Sequence, residues 1–241
     1  MKPISPEQIL GLRSAKQFFS DCYLVSSIHA LTQTPNGRKI LKQNISTDGS
    51  NFNVKFNNIN EQAMDFFISA KKLEKLVLVD EFANEIMCNE PHNPIIKAIE
   101  LTMNKIIQRY PEKKPLVCRL MKPMELFEYN KPSNFMEMFT GRKPIVLNEG
   151  GLKMSLKRHK EEAMQLFEQI DKANETSFVA GTGIFCRYGL SDAHCYTVAG
   201  VNFENKYIEI IDKRSQKTLQ VPFDIAIRGL KYLTGYFNSN L

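Results

Sequence analysis

Along residues 51–58, Phe52, Val54 and Phe56 alternate with Asn53, Lys55 and Asn57. That two-residue period predicts a strand with one buried face. The period changes at 95–110, where Ile95, Ile96, Ile99, Met103 and Ile106 fall on one stripe of a helix that Pro111 ends. The segment CYLVSSIHALTQ, from Cys22, is apolar enough to be a buried helix. Ser20 or Asp21 can cap it, and Pro35-Asn36-Gly37 is expected to stop it. SNFMEMF predicts a short helix closed by Gly141, and MDFFISAKKLEKLVLV (64–79) mixes strand and helix signals without choosing. After the turn Asn148-Glu149-Gly150-Gly151, residues 153–173 predict an amphipathic helix with Ala163, Met164, Leu166, Phe167 and Ile170 inward.

Beyond that helix come short β-rich runs at 177–186, 193–201, 206–212 and 217–221. Asn202–Asn205 reads as a hairpin loop, and the apolar segment FDIAIRGLKYL closes the chain after Pro222. No internal repeat is visible. Helices first and antiparallel strands last describe an α+β fold with segregated elements, not a βαβ alternation. The expected division is a mainly helical lobe over 1–150 and a β-rich lobe over 151–241, with a site where they meet.

Composition narrows the classes. The 241 residues are enough for a real core, and 43% hydrophobic with 24% charged residues is ordinary globular usage. The net charge is +6, but the basic residues form no patch interleaved with aromatics. The densest run, KMSLKRHK (153–160), continues into Glu161 and Glu162 as a solvated helix face, so no nucleic-acid partner is expected. The five cysteines lack CxxC spacing and are odd in number, which is not a disulfide framework, and the chain has no Trp. No signal peptide and no apolar run of about 20 residues is visible. A cytoplasmic protein without a membrane partner is expected, with delivery by a specialised secretion route left open. Nothing in the sequence speaks to oligomeric state.

Cys22 stands in the first turn of its helix, where free backbone N–H groups and the helix dipole favour a thiolate and could hold an oxyanion. Taken alone, a buried cysteine is core. A thiolate nucleophile needs a base. His29 lies about 10 Å further along the same helix and cannot reach the thiol. His92 is in a Pro-bounded loop, and His159 stands among exposed Lys and Glu. His194 follows the polar turn Gly189–Asp192 at the start of a strand. If 193–201 and 206–212 pair as a hairpin, His194 lies roughly opposite Asp212, whose carboxylate can hold the imidazole in one tautomer. The plainer role for Asp212 is to initiate the turn at Lys213-Arg214. Gln17, five residues before Cys22, could donate a second oxyanion hydrogen bond. Cys186, His194 and Cys195 make the only Cys/His cluster, and strand alternation should send His194 and Cys195 to opposite faces. No metal site is therefore expected.

QFFSDCYLVSSIHAL (17–31) resembles the nucleophile segment of calpain-type cysteine proteases, and GLSDAHCYTVAGV (189–201) resembles their histidine segment. NFNVKFNNINEQAMDFFISAKKL, NPIIKAIELTMNKIIQRYP and PSNFMEMFTGRKP resemble, in order, stretches between the two. The resemblance implies a papain-like two-lobed cysteine protease fold with Cys22 as nucleophile and His194 as general base. It implies a protein or peptide substrate and no required cofactor. Calcium would be possible by the resemblance, but no ligand set can be matched. The family's third catalytic residue is Asn, where this chain has Asp212; its Gln stands six residues before the Cys, where this chain has Lys16 and then Gln17. Ser20 replaces a Gly and Tyr23 a Trp. Two further functions use the same residues: acyl transfer of the transglutaminase or deamidase type, and a catalytically degenerate binding module.

Overall fold

The computed structural model describes residues 1–15, 22–59, 61–69, 78–79, 85–86, 93–109, 131–148, 156–173, 175–183, 186 and 188–241. The alternating run at 51–58 forms strand β3 (Phe52–Ile59), with Phe52, Val54 and Phe56 buried and their neighbours half-exposed. It lies in a four-stranded sheet, ordered β1-β2-β3-β4, with β1 (Lys2–Pro3), β2 (Ile45–Thr47) and β4 (Gln62–Ile68). The ambiguous 64–79 stretch is thus strand at its start, and β5 (Leu78–Val79) at its end pairs with β6 (Glu85–Ile86). Residues 70–77 lie outside the described residues.

Three helices precede or follow the nucleophile candidate closely: α1 (Pro6–Ser14), α2 (Cys22–Gln33) and α3 (Pro35–Asn44). The first begins in a capping box, Ser5 accepting from the Gln8 N–H while the Gln8 side chain accepts from the Ser5 N–H. Pro35-Asn36-Gly37 does end α2, but it also opens α3: Thr34 accepts from the Gly37 N–H at 3.0 Å, and Pro35 occupies the first turn. Only glycine fits at 37, since a Cβ would stand 2.1 Å from the Leu31 carbonyl oxygen. α4 (Pro94–Arg109) and α5 (Pro132–Thr140) follow the predicted stripes, and α5 ends on left-handed Gly141 at φ 78.

A six-stranded sheet, ordered β11-β10-β9-β8-β12-β7, makes the second layer. Its strands are β7 (Ile145–Leu147), β8 (Thr176–Thr182), β9 (Cys195–Asn202), β10 (Tyr207–Asp212), β11 (Lys217–Pro222) and β12 (Leu230–Phe237). Every described pairing in the molecule is antiparallel. The closing apolar segment divides into α7 (Phe223–Gly229) and the start of β12, while α6 (Lys160–Ala173) follows a 3-10 turn at Leu156–His159. The fold is α+β, with seven α-helices among the described residues. The first 150 residues are less purely helical than the patterning suggests. They hold the four-stranded sheet, and β7 pairs with β12 in the other one.

Strand alternation gives the six-stranded sheet a core on each face. Val179, Cys195 and Tyr236 pack with α2, α4, α5 and β3, where Phe135 stacks on Phe139 at 5.3 Å and Phe56 meets both edge-on. Phe178, Ala180, Tyr196 and Val198 face the other way, onto Phe167 and Ile170 of α6 and Phe223 and Ile227 of α7. Burying each such aromatic is worth about 1.5–3 kcal/mol, so Phe56→Ala should cost about 3–5 kcal/mol. α2 is buried along its length except at Gln33, the expected state for a helix apolar all round. Its Ser and Thr hydroxyls find backbone carbonyls: Ser27 donates to Tyr23 O at 2.6 Å and Thr32 to His29 O at 2.6 Å. Ser26 donates to Cys195 O at 3.0 Å, and Thr197 donates to Ser26 O at 3.1 Å. Those two bonds tie α2 to β9.

Candidate active site

Cys22 opens α2, one turn before Ser26, so the bonds from Ser26 to β9 carry its thiol to the start of that strand. The first N–H groups of a helix have no partner within it, and a thiolate there is favoured. His194 lies just before β9. Its N–H donates to the Thr182 hydroxyl at 2.9 Å, and its carbonyl accepts from the Thr182 N–H at 2.9 Å. The preceding Ala193 has a left-handed backbone, φ 45. The ring is T-packed on Tyr196, with centroids 4.8 Å apart. The Tyr196 hydroxyl accepts from the Ser191 N–H at 2.8 Å, which fixes the turn that delivers the histidine.

His194 Nε2 donates to Asp212 Oδ1 at 2.8 Å. The hairpin explains the contact. β9 and β10 pair from Tyr207↔Asn202 to Ile211↔Thr197, with a register shift between Glu209 and Ile210. One step further puts Tyr196 beside Asp212, so His194 reaches it diagonally rather than from directly opposite. Asp212 also does what its plainer role requires. Its Oδ1 accepts from the Arg214 N–H at 2.9 Å, and its Oδ2 accepts from the Ser215 hydroxyl at 2.7 Å, which shapes the turn into β11.

With Nε2 on Asp212, Nδ1 is the ring nitrogen left to face Cys22. The Cys195 thiol first, then hydrogen bonding and charge from His194 and the Cys195 N–H, outweigh burial and hold the Cys22 thiol well below the usual thiol range. Burial pushes His194 down, but Cys22 and Asp212 together hold it above its ordinary value. Burial likewise works to raise Asp212, and the Ser215 hydroxyl, His194 and the Arg214 N–H keep it low. All three shifts run toward the charged forms: thiolate at Cys22, imidazolium at His194 and carboxylate at Asp212.

His194 and Cys195 do part as alternation predicts: Cys195 packs in the core with α2, while the His194 ring rests on Tyr196, which faces the other core. Both nevertheless act on the Cys22 thiol at the start of α2. Among the described residues no group of three or more His, Cys, Asp or Glu is placed to hold a metal ion.

Gln17 lies outside the described residues, as do Ser20, Asp21, His92, Cys88 and Cys118. His29 is buried within α2, with Gln33 Nε2 3.3 Å from its Nε2, as its distance from the thiol predicted. His159 is half-buried on α6's approach, 3.7 Å from Glu162. Cys195, Ser215 and Tyr232 take part in the site without a signal in local spacing. Their contacts are made across the fold.

The Asp212 turn is also docked on the chain that leads to Cys22. Lys213 is buried, its Nζ donating to Arg13 O at 2.7 Å, and Gln216 Nε2 donates to Ala15 O at 3.1 Å. Both bonds tie the turn after Asp212 to the end of α1 and its C-cap. No protein-family model matches the chain, and a search of curated proteins finds no match. Among the described residues no helix is long and apolar enough to cross a membrane.

Proposed function

We propose that the protein is a calpain-like cysteine endopeptidase with a papain-like arrangement of a helical and a β-rich lobe. The carrying observation is a single imidazole, His194, whose Nε2 is hydrogen-bonded to Asp212 at 2.8 Å while Cys22 acts on the same ring and raises its pKa. The resemblance of residues 17–31 and 189–201 to the calpain nucleophile and histidine segments supports it.

In this mechanism the Cys22 thiolate attacks the scissile carbonyl carbon. The oxyanion is held by the Cys22 N–H at the start of α2 and, by the resemblance, by Gln17. The His194 imidazolium gives its proton to the leaving amine as the C–N bond breaks, leaving a thioester on Cys22. A water then attacks the thioester while His194 takes its proton, and the carboxylic acid leaves with the thiolate restored. Asp212 holds the ring orientation and stabilises the imidazolium through both half-reactions. The substrate is a protein or peptide; no cofactor enters any step.

The test is cleavage of casein, read as new N-termini. Cys22→Ala should lose about 10⁴-fold or more in rate. Equal cleavage by wild type and variant would refute the proposal. Asp212 in place of Asn favours acyl transfer as a second reading. Ammonia release with isopeptide formation, in place of new N-termini, would establish it. Failure of a thiol-reactive peptide probe to label Cys22 would instead point to a binding module.

A further inference from the structure

The mechanism leaves one buried thiol unused. Cys195 is 5% exposed, lies in the same buried core as Cys22, and is the group that does most to lower the Cys22 thiol. Its position is set from three sides. Its carbonyl accepts from Ser26 at 3.0 Å, which fixes β9 against α2 one turn from Cys22. Across the sheet, Cys195 pairs with Gly181, and Gly181 pairs with Tyr232. The Tyr232 ring lies over Gly181 so closely that a Cβ there would stand 2.0 Å from it. Crossing that gap, the Tyr232 hydroxyl comes to 2.8 Å from Cys195 Sγ. A side chain at 181 would displace the ring. Glycine at 181 thus admits a tyrosine hydroxyl to a thiol whose other neighbour is the candidate nucleophile.

We propose that Cys22 and Cys195 are a redox pair that closes to a reversible disulfide when a peroxide oxidises the site. In the first step the Cys22 thiolate attacks one peroxide oxygen. An S–O bond forms, the O–O bond breaks, and the departing hydroxide takes a proton to leave as water. Cys22 is then a sulfenic acid, oxidised by two electrons, and the peroxide is reduced. In the second step the Cys195 sulfur, 2.8 Å from the Tyr232 hydroxyl, gives up its proton and attacks the Cys22 sulfur. An S–S bond forms, the S–O bond breaks, and the hydroxide leaves as a second water, carrying the proton that Cys195 gave up. A dithiol reverses the bond by two exchanges, ending as a disulfide itself. The closed state has no thiolate at Cys22, and the bond shields that sulfur from irreversible oxidation to sulfinic acid. The loss of peptidase activity on closure rests on the nucleophile role proposed above for Cys22; the bond itself does not.

Trypsin places the two sulfurs on separate peptides, 17–38 and 188–206, each with one cysteine. The full chain is treated with hydrogen peroxide, alkylated, digested without reductant and mapped by mass spectrometry. The expected product is the two peptides joined, lighter than their sum by two hydrogens, and returned to separate peptides by dithiothreitol. Cys195→Ala should carry Cys22 on to sulfinic acid that dithiothreitol does not restore, and Tyr232→Phe should slow closure while keeping the ring. Finding Cys22 unoxidised, or overoxidised in wild type with Cys195 still alkylated, overturns the pair. Casein cleavage by the reduced protein separates the two claims. A joined peptide from a protein that cleaves nothing upholds the redox pair and removes the peptidase. Cleavage without a joined peptide does the reverse.

Discussion

His29, in the middle of α2, and His194, beside the start of the same helix, are buried to the same degree, 5% and 6% exposed. Burial presses both toward the neutral ring, yet they are driven in opposite directions. His29 is pushed to about 3 by burial first, then by the charges of Lys213 and Arg13. Its Nδ1 has no hydrogen-bond partner among the described residues. His194 meets the same burial but faces Cys22 and Asp212, and is raised. Neighbouring charge, not depth, decides which imidazole carries a proton. Lys213 contributes to one region directly and supports the other, since it adjoins Asp212 in the chain while its ammonium points to Arg13 O. Its own burial lowers it to about 8.

The comparison breaks first at Asp212. Asp212→Ala removes the carboxylate that orients and charges His194, and the rate of casein cleavage should fall about 10²- to 10⁴-fold. Asp212→Asn keeps an acceptor without the charge, so it should lose less. Under the proposed mechanism, cleavage requires thiolate and imidazolium together, so it should rise with pH as the lowered Cys22 thiol ionises and fall as the raised His194 loses its proton. In Asp212→Asn the falling limb should move to lower pH, and a limb that stays in place would show that Asp212 does not hold the charge.

His29 sharpens the other side. Its folded value is about 3, while an unfolded chain's imidazole titrates near 6.5. The unfolded state therefore binds the extra proton throughout that window. Stability is whole above about pH 6.5 and is lost as pH falls toward 3, by up to about 1.4 kcal/mol per pH unit. Denaturant unfolding at a series of pH values should show this slope, and His29→Leu should flatten it. The smallest effect belongs to Ser215→Ala, which removes the 2.7 Å bond to Asp212 Oδ2. At about 1 kcal/mol for a hydrogen bond, cleavage should slow by tenfold or less, with the falling limb shifted slightly to acid.

Where one element decides its own conformation, the sequence is enough. β3 follows from Phe52, Val54 and Phe56, α4 from its isoleucine stripe, and α5's end from Gly141. The His194–Asp212 contact is legible for a similar reason, because a hairpin's register links two nearby segments. α1 and α3 carry local signals, Ser5-Pro6 with Gln8 and Thr34-Pro35, that patterning by hydrophobicity passes over; a proline there starts a helix as well as ending one. Other features arise only from tertiary placement. β12 lies in a segment that reads as an apolar tail and becomes an interior strand of the larger sheet. Lys213 looks like a turn lysine, and its burial depends on a carbonyl two hundred residues away in the chain. Cys195 comes into the core of Cys22 because Ser26, one turn along α2, donates to the Cys195 carbonyl across 169 residues of chain.

The central claim is that His194 rests as an imidazolium beside a Cys22 thiolate. ¹⁵N NMR of histidine-labelled protein, followed across pH, measures it directly. His194 should lose its second ring proton above the ordinary imidazole range, and in Cys22→Ala at lower pH than in wild type. A His194 ring that titrates at or below the ordinary range, and alike with and without the Cys22 sulfur, would contradict the account.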